Sequence, residues 1–448
     1  MDDFLAEWKR DEQRKPLIIK GARQIGKTYS IRRFAEENYS NVIEINFALQ
    51  PEYMGIFNNG FEVNSILKNI SFINPKYQFI AGKTLFIFDE LQANPSCATS
   101  LKSFSIDGRF DVICSGSLMG LYYKEIESNS VGYKKDYEMH SMDFEEFLWA
   151  KGYSQVQIDE LFEHMINLEP LSEMYMSSMT DIFHEYMILG GMPAVVSRFV
   201  ENMNYSGILD MQRQLIADYE EDITKYAKGL DKAKILNIYR SIPVFLGKSN
   251  KKFQISKVEK GARNREYVGT IDWLKDAGIV NVCYCMSEPA LPIKGNYDIT
   301  MYKLYFHDTG LLIATLDEEA QTDLRYNRNF NAYKGAIYEN VIAEILYKQG
   351  YEICYYINEK STVEMDFMVR DKDSLIPVEV KSTDGATKSL NNLIDKDKYE
   401  DIKYGIKFAE KNIGFNGKFF TFPYFLSFLL KRYLRSDTRN KCSSNAET

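Results

Sequence analysis

Three regimes of hydrophobic patterning follow one another along the chain. In the first third, short apolar runs alternate with stretches of helical spacing. Pro16–Ile19, the alternating Asn41–Phe47, the continuous Lys83–Glu90, Phe110–Cys114 and a run around Tyr137–Met142 read as five strands. Phe4–Arg10, Lys27–Glu37 and Val63–Ile73 read as helices between them. The alternation predicts an α/β domain on a parallel sheet, and the unbroken apolar run before Asp89 suits a strand covered on both faces. From Gln155 to Tyr239 the spacing is helical, interrupted at Leu189-Gly-Gly-Met-Pro193, where glycines end one helix and proline starts the next. Ile235–Leu246, Ser256–Ala262 and Asn264–Ala277, followed by strand-like Ile279–Tyr284 and Met301–Phe306, give the order of a winged helix. The last regime begins with a helix over Tyr333–Gln349. Strands at Tyr351–Ile357, Val363–Val369 and Leu375–Lys381 come next, then a helical Leu390–Tyr399 and a strand at Lys418–Phe422.

The chemistry of the first regime is concentrated in Gly21-Ala-Arg-Gln-Ile-Gly-Lys-Thr28, which fits GxxxxGK[ST] between a strand and a helix. Glycines at both ends let successive N–H groups and a helix N-terminus point at one anion. In that reading Gly21, Ala22, Arg23, Gln24, Ile25 and Gly26 cradle the phosphates of ATP, Lys27 reaches the β and γ phosphates, and Thr28 ligates Mg²⁺. Asp89 would hold the Mg²⁺ through a water, and Glu90 would polarise the attacking water. Ser115 or Ser117, at the end of the fourth strand, would sense the γ-phosphate; a helix N-cap at Ser117 is the structural alternative. Asp143 followed by Glu146 is a capping pattern.

Composition narrows the remaining choices. The 448 residues are 45% hydrophobic and 26% charged, which suits several ordinary domains, each with its own core. A net charge of −8 argues against a surface coated for nucleic acid but leaves room for a local basic patch. Lys257, Lys260, Arg263, Arg265 and Lys275 would supply phosphate contacts to DNA or RNA, although Glu259, Glu266 and Asp272 are interleaved with them. The acidic Asp218–Tyr226 reads as a solvated helix face. Six scattered cysteines and four isolated histidines make neither a disulfide framework nor a zinc site. An acidic start unlike a secretory signal, and no apolar span longer than Tyr424–Leu430, point to a cytoplasmic protein without a membrane segment.

A second constellation lies near the other end. Period-two geometry puts Glu379 and Lys381 on one face of a strand, Asp366 lies beside them across a hairpin, and Glu339 sits on the preceding helix. Carboxylates gathered in this way repel and lose solvation, so a second Mg²⁺ or a Mn²⁺ is their natural partner, with Lys381 orienting a nucleophile. A cross-strand ion pair of Lys381 is the structural alternative. The pattern resembles the PD-(D/E)xK nuclease fold.

GARQIGKT, LFIFDELQ, the SGS strand end and MDFEEFLWA together resemble a prokaryotic family of AAA-type ATP-binding proteins with a nuclease-like C-terminal domain. The resemblance implies a P-loop ATPase with a parallel five-stranded sheet, a helical region and winged helix, then a small α/β restriction-endonuclease-like domain. The expected divisions are 1–150, 151–234, 235–315 and 316–434, with a disordered tail at 435–448. It implies an Mg²⁺-dependent ATPase whose nucleotide state controls a module acting on nucleic acid. The alternative is an ATP-driven switch whose C-terminal domain is inert and binds a protein partner. Relatives usually place an arginine after a glycine before the fifth strand, where this chain has Gly132-Tyr133-Lys134-Lys135. An arginine borrowed in a homo-oligomer cannot therefore be assigned at this point. Members often begin with a further helix, so an abbreviated amino terminus is expected.

Overall fold

Strand β3 (Thr84–Asp89) is buried at every position, which requires cover on both faces and a hydrogen-bonded neighbour on each side. The computed structural model supplies both; it describes residues 1–117, 130–227, 231–248, 251–259, 264–267, 269–326, 328, 331–381, 387–396 and 398–436, with backbone only at 264, 265, 331 and 332. β1 (Leu17–Lys20), β2 (Asn41–Asn46), β4 (Asp111–Gly116) and β5 (Lys135–Glu138) join β3 in a five-stranded sheet of order β2-β3-β4-β1-β5. Every pairing in it is parallel. One face buries Ile18, Ile43, Phe86 and Phe88 against α3 (Val63–Ile73) and α4 (Ser96–Asp107). The other buries Leu17, Ile19, Leu85 and Ile87 under α1 (Asp2–Arg10) and α2 (Lys27–Asn38). Asp111 ties the amino-terminal segment to the sheet by accepting from Lys9 (3.2 Å), Arg14 (2.7 Å) and Tyr39 (2.7 Å).

The fifth strand is Lys135–Glu138 and not the apolar run around Tyr137–Met142. As an edge strand it stays largely exposed and needs no apolar run, so the hydrophobic pattern pointed a few residues too far along.

Two compact units are present: Met1–Ser141 with Asp276–Gly278, and Met142–Lys275 with Ile279–Thr448. The first division thus falls at 141/142, ahead of the expected 150/151. In the second unit α5 (Phe144–Ala150) starts on the anticipated capping box, with Asp143 accepting from the Glu146 N–H at 2.8 Å and Glu146 from the Asp143 N–H at 3.1 Å. α6 (Gln155–Asn167), α7 (Glu173–Leu189), α8 (Pro193–Asn202), α9 (Ile208–Tyr226) and α10 (Lys232–Leu246) follow. Gly190 ends α7 at φ 70°, and a Cβ there would lie 1.9 Å from a carboxylate oxygen of Asp308. That carboxylate accepts the Gly191 N–H at 2.7 Å, fixing the helix break. The acidic stretch in α9 is not a uniformly solvated face, because Asp222 is buried and Glu220 holds Arg240 at 2.7 Å.

The strand-like segments expected as a wing become β6 (Val280–Met286) and β7 (Tyr297–Phe306), but they do not form a separate ribbon. β6 is buried along nearly its whole length and so needs a partner on its second edge, which β8 (Cys354–Ile357) provides in parallel pairing. β9 (Glu364–Asp371), β10 (Ser374–Lys381), β11 (Gly405–Ala409), β12 (Gly414–Phe415) and β13 (Phe419–Pro423) extend one eight-stranded sheet, β12-β13-β11-β10-β9-β8-β6-β7. The expected boundary at 315/316 therefore runs through a single sheet. The second helix of the anticipated winged helix shrinks to Ile255–Val258. Lys260, Arg263, the Arg265 side chain, the helix start after Ser117 and residues 437–448 lie outside what is described. Tyr424–Leu429 is a buried 3₁₀ helix, and no described helix is long and apolar enough to cross a membrane.

α11 (Thr309–Ala314) and α12 (Asn331–Lys348) meet through buried Glu344, which accepts from the Thr309 N–H (2.8 Å), Lys348 (2.6 Å) and Tyr186 (3.1 Å). Glu344→Ala would strand the Lys348 ammonium in the interior and is expected to cost about 3–5 kcal/mol. A denaturant midpoint equal to that of the wild type would show the network to be dispensable.

Candidate nucleotide site and a buried charge cluster

The loop between β1 and α2 owes its shape to three left-handed residues, Gly21 (φ 149°), Gln24 (φ 61°) and Gly26 (φ 92°). A Cβ on Gly21 would fall 2.2 Å from the Met139 carbonyl oxygen, so only glycine fits there. Ala22 and Ile25 pack inward while Arg23 and Gln24 remain more open. Lys27 opens α2 and is buried, its ammonium donating to the carbonyls of Gly21 (3.0 Å) and Ala22 (2.7 Å). Burial pushes its pKa down to about 8, against the opposing charges of Glu90 and Asp89.

Asp89 is the meeting point. Its buried carboxylate accepts from Thr28 Oγ1 at 3.2 Å, from Asn46 Nδ2 at 3.1 Å, from the Glu90 N–H at 3.0 Å and from the hydroxyl of Ser115. β2, β3 and β4 end side by side, so their last residues converge on the loop that follows β1. Glu90 follows at φ 56° and accepts from the Gln92 side chain, which also lies 3.5 Å from the Ser117 hydroxyl. Burial, then the Asp89 charge, raises the Glu90 pKa, while Arg23, Lys27 and Gln92 oppose the rise.

The second unit gathers Glu339, Asp366, Glu379 and Lys381, as the sequence pattern anticipated, but surrounds them with two further lysines. Glu339 on α12 is bonded by Lys251, by Lys303 at 3.2 Å and by the Tyr305 hydroxyl. Lys303 also reaches Glu364 at 3.0 Å. Lys381 pairs with Glu379 at 2.6 Å, two residues back on the same strand face, and not across strands as the structural alternative had it. Asp366 accepts the Val380 N–H at 2.8 Å. Burial favours a protonated Glu339, yet Lys251, Lys303 and Tyr305 outweigh it and hold the pKa down at about 2. Burial and then the Glu339 charge push Asp366 up to about 6, against Lys303 and Lys251.

A family model described as AAA domain matches residues 13–148. That match covers most of the first unit. Two models described only as domains of unknown function, DUF8612 and DUF4143, match residues 180–322 and 334–425. No curated protein matches in sequence. Among solved structures, a Walker-type ATPase of Pyrococcus abyssi aligns at 14% identity and TM-score 0.43, covering 70% of this chain and 94% of that one. The RuvB Holliday junction branch migration motor of Thermotoga maritima aligns at 11% identity and TM-score 0.29, covering 62% and 87%. The Aeropyrum pernix Orc1 protein, solved in complex with DNA, aligns at 13% and 0.26, covering 74% and 91%.

Within the AAA domain, Asn46 and Gln92 went unnoticed in the sequence. Asn46 had a readable signal, since it ends the strand that a parallel order sets beside Asp89. Gln92 had none, because a side chain two residues beyond Glu90 is brought back only by the left-handed turn at Glu90. The donors at Thr28 and Asp89 are hard oxygens and suit Mg²⁺. The C-terminal cluster does not suit a second metal: both Glu339 oxygens are taken by protein donors, and no group of three acids, cysteines or histidines among the described residues could hold an ion.

Asp366 binds a proton in the folded chain that the unfolded chain releases above about pH 4. Its contribution to stability is therefore full below about pH 4 and lost as pH rises through about 6. Asp366→Asn, uncharged throughout, should flatten the fall in stability between pH 4 and 6 in urea titrations. An unchanged pH slope would remove Asp366 as its source.

Proposed function

We propose that the protein is an Mg²⁺-dependent ATPase in which the nucleotide state of the first unit switches the second. The observation that carries the ATPase reading is the meeting of Thr28 and Asp89, 61 residues apart in sequence, at the mouth of the loop. Main-chain N–H groups from Gly21 to Lys27 and the N-terminus of α2 would bind the phosphates. Lys27 would exchange its carbonyl partners for phosphate oxygens, a substitution that its lowered pKa and buried position favour. Thr28 and Asp89 would hold Mg²⁺, which when bound neutralises charge on the β and γ phosphates. Glu90 would take a proton from the attacking water, and Ser115 would read the γ-phosphate through its bond to Asp89.

Lys27→Ala is expected to abolish ATP binding measured by equilibrium titration. Glu90→Gln should retain binding and lose about 10²–10⁴-fold in phosphate release. Full affinity in the first variant, or an unchanged rate in the second, would defeat this reading.

For the second unit, the ammoniums on Glu339 favour a domain that does not cut nucleic acid and instead engages a protein partner or another copy of the chain. A nuclease acting on DNA or RNA is the second reading. It is supported by Glu379 and Lys381 on one strand face beside Asp366. Purified protein with DNA or RNA and Mn²⁺ should show no cleavage; cleavage lost in Lys381→Ala would reverse the order of the two readings.

A further inference from the structure

The chain passes between the two units at 141/142, 275/276 and 278/279, so Asp276–Gly278 belongs to the first unit while the residues on either side belong to the second. These three residues lie against the loop that follows β1. Gly278 closes the short helix Thr270–Asp276 at φ 72°, and the Ile279 N–H donates to the Leu274 carbonyl at 3.3 Å. A Cβ on Gly278 would lie 3.4 Å from the Ala22 nitrogen and 3.9 Å from the Gly21 carbonyl carbon, so the turn rests on the first peptide of the loop. The carbonyl of that peptide and the carbonyl of the next are the two that Lys27 holds, at 3.0 and 2.7 Å. On its other side Gly21 meets the Met139 carbonyl, and Met139 is fixed to the sheet by its N–H bond to the Lys20 carbonyl at 2.8 Å. One residue after Gly278, the buried Ile279 gives its carbonyl to His307 Nδ1 at 3.0 Å, and Val280 then opens β6 opposite Phe306.

We infer that the Asp276–Gly278 turn reads the nucleotide state of the loop and passes it along the chain to β6. The inference rests on the ATPase reading and gives its switch a physical part. When Lys27 turns to phosphate oxygens, the Gly21 and Ala22 carbonyls lose a charge-assisted hydrogen bond and must turn towards other donors. The sheet holds the Met139 side, so the peptide moves on the side where Gly278 rests, and the turn loosens. Gly278 and Ile279 share a peptide bond, so the movement reaches the carbonyl held by His307 and the first residue of β6. Linkage makes the coupling reciprocal: a turn held against the loop weakens nucleotide binding by the factor with which nucleotide loosens the turn.

The test is amide hydrogen exchange on the full-length protein, with and without a non-hydrolysable ATP analogue and Mg²⁺. The analogue should slow exchange in Gly21–Thr28 and speed it at Asp276–Ile279 by at least about threefold, a direction opposite to the general slowing that a bound ligand imposes by mass action. Lys27→Met removes the ammonium from both carbonyls and should speed exchange at Asp276–Ile279 without any nucleotide, while exchange in α4 stays as in wild type. An analogue that protects the loop but leaves the turn unchanged or slower overturns the inference and leaves the ATPase reading standing. An analogue that does not bind overturns both. A Lys27→Met protein with an unchanged turn also overturns the inference.

Discussion

A single buried carboxylate, that of Asp89, constrains the first unit more than any other group. It lies at the end of a strand with no exposed position, so its oxygens must find partners within the fold. The partners come from three other places: Thr28 at the start of α2, Asn46 at the end of β2 and Ser115 near the end of β4. They can converge only if β2, β3 and β4 run parallel and stop at the same level, which in turn requires crossover helices between them. The glycine-bounded loop at the end of β1 then lies on the same rim, with β4 between it and Asp89.

The second unit solves a similar problem with different partners. Asp89 is held by hydroxyls, an amide and a main-chain N–H, all neutral, so its charge is not matched by a bonded cation. Glu339 and Glu344, five residues apart on one helix, are bonded by Lys251, Lys303 and Lys348. A carboxylate satisfied by neutral donors still attracts a metal ion. One satisfied by ammoniums does not, and this difference separates the oxygens at Thr28 and Asp89, which suit Mg²⁺, from a carboxylate cluster already paired with lysines.

Much of the first unit was legible because its signals are local. The GxxxxGK[ST] spacing, the apolar run ending in Asp89-Glu90 and the Asp143 cap each depend on residues within one or two turns of one another. The polar edge strand Lys135–Glu138 was misplaced because an edge position relaxes the need for apolar residues. In the second unit the long helix and the strands other than β11 and β12 were readable, and the sequence pattern set Glu339, Asp366, Glu379 and Lys381 near one another. The charge balance was not, because Lys251 and Lys303 lie 88 and 36 residues from Glu339 and carry no spacing that ties them to it.

By itself, then, the sequence determined the glycine-bounded loop from Gly21 to Thr28, the acidic strand end beside it and the alternation that makes a parallel sheet, since period and loop chemistry act over a few residues. Only the tertiary structure decided that the expected wing joins the C-terminal strands in one sheet, because β6 could satisfy its second edge only with a strand some seventy residues later. It also decided which acids face lysines and which face neutral donors. Pairing across a sheet and burial of charge are settled by the partners that folding brings together, and distant positions in the chain hold no local record of them.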